Sequence, residues 1–240
     1  MKYGLDSFRK DFSTEEECLG YVFNKLYGPR CSCGGRYAKV RNRRQYQCSR
    51  CRHQIAPTAG TIFHKSPTPL TLWFHAIFIF CHARSGISAK EMQRQLGVTY
   101  KCAYRMLSLI KHRVRQGEGK LQGIVDIDTG QFSEKSSVIL AVERNGPIRA
   151  RVVRKTDAVT VQAFIHDMVE KKVAYTTRMN AGDPFFFNFK RSIKGTFKNV
   201  SDAKLQAYLN AFVFRYNHRH DDKQRFEALC ESLVRPKSVV

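Results

Sequence analysis

Four cysteines, Cys31, Cys33, Cys48 and Cys51, fall within one short stretch of this 240-residue chain and restrict its folding more than any other feature. They read C-x-C, fourteen residues, then C-x2-C. Thiolates at that spacing can close a tetrahedral metal site, for which Zn²⁺ is the expected ion, and Gly34-Gly35 lets the backbone turn tightly around it. Short β-prone pieces such as Gln45-Tyr46-Gln47 lie between the pairs, the pattern of a zinc ribbon. The C-x-C half is one residue shorter than the usual knuckle, so nearby His53 stands as a substitute ligand. Four protein ligands predict a closed, structural ion. Cys18, Cys81, Cys102 and Cys230 are scattered and read as small buried apolar residues.

Charge narrows the partner. The chain carries a net charge of +22; residues 1–120 hold 22 Lys+Arg against 7 Asp+Glu, and residues 121–240 hold 20 against 13. The excess lies mostly in the first half, which is the expected polyanion face. Arg36, Lys39, Arg41, Arg43, Arg44, Arg50 and Arg52 surround the cysteines. They suit phosphate contacts, the alternative being a generic basic surface. No apolar run reaches the roughly 18 residues of a membrane span, and the N-terminus has no signal-peptide core. A cytosolic chain with reduced cysteines is expected.

Local signals order the rest. Ser13 or Thr14 can cap a helix over 14–27, with Glu15, Glu16 and Glu17 in its first turn and Leu19, Val22, Phe23 and Leu26 at helical spacing. Residues 57–69 form a Pro-containing connector. Residues 70–115 predict three helices: Leu70–Ala83, one from the cap Ser88 (with Glu91 completing a capping box) to Gly97, and one from near Thr99. The last lines Ala103, Met106, Leu107, Ile110 and Val114 along one face. Residues 116–120 read as a linker. Residues 121–128, 136–143 and 148–155 are β-rich, and Asn145-Gly146 signals a hairpin. Asp157 caps a helix reaching about Val169, 172–177 predict a strand, and 183–194 and 201–217 predict helices. The order argues for an α/β or α+β domain.

Two further constellations carry chemistry. Ile87 to Leu107 reads as a helix-turn-helix, with small Ala89, turn Gly97 and apolar Val98 suited to two helices across a tight turn. Tyr100, Lys101, Tyr104 and Arg105 would then reach the major groove or its phosphates. A helical hairpin with no DNA role is the alternative. Asp126 and Asp128 alternate along Ile124-Val-Asp-Ile-Asp and so share one face of a strand. With the distant Asp183, followed by Lys190-Arg191, they could hold two divalent ions as in a nuclease, although strand-end aspartates are more often solvated or capping.

Together these residues resemble bacterial insertion-sequence transposases with an N-terminal zinc ribbon, a helix-turn-helix and an RNase H-like core. The resemblance covers nearly the whole chain. It is carried by Thr58-Ala-Gly-Thr-Ile-Phe-His64, Thr68-Pro-Leu, Trp73-Phe74, Gly86-Ile-Ser and Arg94-Gln-Leu-Gly-Val in the first half. In the second half it is carried by Phe189-Lys-Arg-Ser-Ile-Lys-Gly-Thr-Phe and Phe212-Val-Phe-Arg-Tyr-Asn-His-Arg219. It implies DNA strand cleavage and transfer at element ends under Mg²⁺ or Mn²⁺. It gives Asp128 the first catalytic position, Asp126 the acid before it, Asp183 the third position in a frame with Asn180, and Lys190 the following basic residue. The second aspartate, due after Val173-Ala-Tyr-Thr176, is replaced by Thr177. Only Arg178-Met179 stand where the family has a longer stretch with another strand.

The implied protein is multidomain α+β: an N-terminal helix and zinc ribbon (1–60), a helix-turn-helix domain (61–117), a shortened RNase H-like α/β core (118–220) and a C-terminal tail (221–240). It binds double-stranded DNA as a homodimer or higher multimer at the bacterial nucleoid, without membrane contact. Two carboxylates make a poorer two-metal site than three. The expectation is therefore a transposase-like DNA-binding protein with impaired catalysis; the alternative is a zinc-ribbon, helix-turn-helix regulator with no enzymatic activity. Asp157 stands before a helix, where capping is its expected role and not service as a replacement carboxylate.

Overall fold

The computed structural model describes residues 3–171, 173–177, 183–197 and 200–235. Among them the chain is mixed α/β, with nine α-helices and two sheets. It forms two compact units: Met1–His82 with Met92–Ile110 and Asp221–Val240, and Ala83–Glu91 with Lys111–His220.

The first unit opens with α1 (Leu5–Asp11), unmarked by any periodic pattern. It is held by Phe8, which is buried with its ring 4.7 Å from Phe78 and 5.9 Å from Phe226. α2 (Glu15–Leu26) starts on a complete capping box: Thr14 Oγ1 accepts from the Glu17 amide at 3.2 Å, and Glu17 Oε2 accepts from the Thr14 amide at 2.8 Å. Its apolar face buries Cys18, Leu19, Val22 and Phe23. β1 (Tyr37–Lys39), β2 (Tyr46–Cys48) and β3 (Gln54–Ile55) make an antiparallel sheet in that order. The Tyr46 ring stacks on Phe23 at 3.9 Å, joining sheet to helix. α3 (Leu70–His82) has Trp73, Phe74, Ala76 and Ile77 fully buried, and a helix apolar on most sides must be surrounded. The Trp73 indole finds its acceptor in Ser66 Oγ at 2.9 Å.

Two helices follow across a short turn. α4 (Ala89–Leu96) is preceded by Ser88, whose Oγ accepts from the Glu91 amide at 3.2 Å. It stops at Gly97, whose φ of 67° suits glycine in the left-handed region. α5 (Tyr100–Arg113) is capped by Thr99 Oγ1, which accepts from the Cys102 amide at 3.3 Å. Ala103, Met106, Leu107, Ile110 and Val114 are buried, as their spacing predicts.

The second unit is built on β4 (Val125–Gln131), β5 (Ser137–Glu143), β6 (Ile148–Val153) and β7 (Tyr175–Thr177), in the order β6-β5-β4-β7. β4, β5 and β6 are antiparallel, and β7 returns parallel to β4 after α6 (Ala158–Met168). The hairpin between β5 and β6 turns at Asn145, φ 61°, next to Gly146, where a Cβ would meet the Glu143 side chain at 2.8 Å. Two cores cover the two faces. Val125, Ile127, Ile139 and Ala141 pack with Phe164 and Ile165 of α6. Val138, Leu140, Ile148 and Ala150 pack with α7 (Asp183–Ser192), through Phe185 and Phe189, and with α8 (Asp202–Asn217), through Leu205, Leu209 and Val213. A π-helical turn, Ile193–Phe197, follows α7.

Residues 116–120, expected as a linker, are fastened to β6: the buried Arg149 guanidinium donates to the carbonyls of Gln116 and Glu118 at 3.0 Å and of Gly119 at 3.3 Å. The outer margin of β6 is closed by side-chain amides. Ile148 N–H donates to Asn217 Oδ1, Ala150 N–H to Gln116 Oε1 and Val152 N–H to Gln206 Oε1, at 2.7–2.8 Å.

The segment 221–240, expected as a tail, is corrected over most of its length: α9 (Asp222–Val234) belongs to the first unit and packs on α3. Asp221 caps it, accepting from the Lys223 and Gln224 amides, and Phe226, Leu229, Cys230 and Leu233 form a buried stripe at helical spacing. Burial of that stripe outweighs the polar first turn that made the segment read as a tail.

Candidate functional site

The four clustered cysteines meet. Their sulfurs all lie within 4.8 Å of one another, with Cys31–Cys51 at 3.6 Å and Cys33–Cys48 at 3.5 Å. Sulfurs about 2.3 Å from a tetrahedral Zn²⁺ stand about 3.8 Å apart, and disulfide sulfurs about 2.05 Å apart. The donor set therefore fits an ion and not a pair of disulfides. Glycine is required beside it: a Cβ on Gly35 would meet Cys48 Sγ at 2.6 Å and Arg50 Cβ at 2.8 Å. The Tyr37 hydroxyl, hydrogen-bonded to Cys31, draws that thiol down to about 5, and the Cys51 amide lowers Cys48. His53 is exposed and is not a member of the cluster.

The basic residues around the cysteines divide into two groups. Arg44 is committed to the fold, 2.5 Å from Glu15 Oε1 and donating to the Ser66 carbonyl at 3.2 Å. Arg50 donates to the Cys33 carbonyl at 2.8 Å. Arg41, Arg43 and Arg52 are exposed and have no carboxylate partner among the described residues. On α5, Tyr100, Lys101, Tyr104 and Arg105 all face solvent on the side opposite its buried stripe, with the two tyrosine rings 6.2 Å apart.

The acids sit on β4. Asp126 and Asp128 are both nearly buried, on the sheet face shared with Val142 and Leu140, their register partners. Asp126 accepts from the Thr176 hydroxyl, and its other oxygen lies 3.3 Å from Arg144 Nε. Asp128 Oδ1 accepts from the Thr129 amide at 2.7 Å. On the neighbouring strand Thr176 is level with Asp126 and Thr177 with Ile127. The position due to carry a second aspartate is thus on the neighbouring strand, level with Ile127 and not with Asp128. α7 starts at Asp183, and one turn later Phe186 covers Gly130, where a Cβ would meet its ring at 3.1 Å. That contact brings the first turn of α7 over β4 at Gly130, two residues beyond Asp128. Lys190 is exposed on α7; Asn180 lies outside the described residues. Asp157 caps α6, accepting from the Thr160 amide at 2.8 Å, and hydrogen bonding from Thr160 lowers its pKa. Sequence reasoning missed Arg144 and Thr176 as partners of Asp126, because only the strand register reveals them.

Comparison with known proteins finds matches to parts of the chain. Residues 171–217, from the approach to β7 through α8, match the ISXO2-like transposase domain. With the relative described next, this supports an insertion-sequence transposase family for the chain. That relative is an uncharacterized protein in transposable element ISH50 of Halobacterium salinarum, 28% identical over 130 residues, covering 53% of this chain and 42% of that protein. The match thus spans less than half of the relative's length. No solved structure matches the chain. No helix among the described residues is long and apolar enough to cross a membrane.

Proposed function

We propose that this chain is an insertion-sequence transposase-like DNA-binding protein whose strand-cleaving chemistry is impaired. In this reading residues 30–56 are a zinc ribbon, α4 and α5 a helix-turn-helix, and residues 118–220 a shortened RNase H-like core. The partner is double-stranded DNA, bound by a homodimer or higher multimer. The sulfur distances support the ribbon. The exposed Tyr100, Lys101, Tyr104 and Arg105 support a DNA-reading helix. The sheet order, three antiparallel strands and then a helix to a parallel fourth, supports the core.

The observation that supports impairment is the residue that ends β7: in register with Ile127 of β4, it is the uncharged Thr177 and not an aspartate. Asp126 is already engaged by Thr176 and Arg144. The described carboxylates do not make a complete two-ion site for Mg²⁺ or Mn²⁺. The same register supports a second reading, a regulator that binds DNA without acting on it.

A nicking and strand-transfer assay on DNA from the gene's own flanks, with Mn²⁺, decides between them. Wild type, Asp128→Asn and Thr177→Asp should all bind. Weak wild-type cleavage, raised by Thr177→Asp and abolished when Asp128→Asn is added, is the expected result. Binding with no cleavage by any variant selects the regulator. Vigorous cleavage that survives Asp128→Asn overturns the assigned site.

A further inference from the structure

The solvent side of α7 carries an unusual combination. Phe187 is 65% exposed, and its ring contacts no other aromatic among the described residues. Arg191 follows four residues later, about 6 Å along the axis and on the same side of the helix. Arg191 and Asn188 line a cleft of about 550 Å³ that Arg84, Ser85 and Thr196 also line. Neither Arg84 nor Arg191 has a carboxylate partner among the described residues.

The cleft is built on fixed backbone. Ser192 Oγ and Thr196 Oγ1 donate to the Ser85 carbonyl at 2.6 and 3.2 Å. Gly86, φ +85°, lies so close to Phe197 that a Cβ would meet the ring at 2.6 Å. Thr196 belongs to the π-helical turn after α7, and such turns are frequent at functional sites. Arg84 is therefore held beside the helix by its loop and not left to wander.

Two guanidinium groups without a carboxylate partner among the described residues suit an anion, and an exposed aromatic ring one turn from Arg191 suits a flat partner. A nucleotide strand supplies both. A base inside a duplex is stacked on both faces and offers no free one, so the fit is to an unpaired nucleotide. We propose that this face of α7 and the Arg84 cleft bind a single nucleic-acid strand, with a base stacked on Phe187 and the adjoining phosphates between Arg191 and Arg84. The inference rests on the reading above for DNA as the polymer, and deepens it. Phe187 stands one turn from Asp183 and next to Phe186, which covers Gly130 two residues beyond Asp128, so the unpaired nucleotide lies beside the first turn of α7.

The chain's single tryptophan, Trp73, is fully buried, so Phe187→Trp adds a solvent-facing fluorescent reporter at a position that tolerates the larger ring. The full-length variant is titrated with a single-stranded oligonucleotide and with the same sequence as a blunt duplex. The single strand is expected to quench the new emission, and the duplex to leave it nearly unchanged. Phe187→Ala and Phe187→Leu should each weaken single-strand binding by about tenfold, within the range of base–aromatic stacking, and spare duplex affinity. Arg191→Ala should flatten the salt dependence of single-strand binding by about 0.7 in log–log slope. If the single strand binds with no change in the new emission, or if Phe187→Ala binds it like wild type, the proposal falls while the DNA reading stands. If neither form of DNA binds, both fall.

Discussion

Lys111 is a cation deprived of water. It is 6% exposed, and its Nζ lies 3.7 Å from the Tyr208 ring centre and 4.5 Å from that of Phe197. Burial, followed by the charges of Arg215 and Lys204, pushes its ammonium from 10.5 down to about 7. The folded value lies below the unfolded one, so between them the unfolded chain holds the extra proton and stability rises with pH. The penalty is complete below the folded value. Lys111→Met is expected to stabilise the protein by on the order of 3 kcal/mol at pH 6 and by roughly half of that at pH 9. Denaturant melts at the two pH values check this; an equal gain at both would assign the effect to packing alone. Arg44 makes the opposite point about charge. Read as a phosphate contact, it is tied to Glu15 and the Ser66 carbonyl, a use that its composition-rich neighbourhood conceals.

Single elements differ in what sustains them. β1, β2 and β3 have three, three and two residues, too little to enclose a core, so the cysteine site must hold them. Metal removal by a chelator is expected to abolish the near-ultraviolet circular dichroism of the Tyr46–Phe23 stack and to weaken DNA binding; an unchanged spectrum after complete removal would show that the sheet stands unaided. α9 depends on packing instead. Leu229 is fully buried, and Leu229→Ala should cost about 2–5 kcal/mol, measurable as a lowered melting temperature. A variant as stable as wild type would mean that the stripe contributes little.

What was legible follows the same division. Caps and periodic stripes are local, so Thr14, Ser88, Asp157 and Asn145 each marked a real boundary. The stripe Phe226, Leu229, Cys230 and Leu233 was present in the sequence too, but a first turn of charged residues masked it. α1 has one buried anchor, and the π-helical turn leaves no periodic trace. In the candidate site, the shared face of Asp126 and Asp128 was readable, whereas Arg144 and Thr176 required the pairing of strands distant in sequence.

For the molecule as a whole, charge sets the terms of association. Arg41, Arg43, Arg52, Lys101 and Arg105 are exposed. If all five meet phosphates, the logarithm of duplex affinity should fall with the logarithm of salt at a slope of about −4.5. Fluorescence anisotropy between 50 and 200 mM salt, taken as roughly the range in which such losses are large, measures it, and a slope near zero would remove these cations from the interface. Self-association is governed differently. The amides of Gln116, Gln206 and Asn217 occupy the hydrogen-bonding positions along β6, where a neighbouring chain would otherwise dock by strand addition. In the language of polymerisation, the sheet carries its own chain terminator: three side chains stop propagation at that margin. Replacing Gln116 and Gln206 together by leucine should convert the stop into a growing end, seen as light scattering that rises with protein concentration.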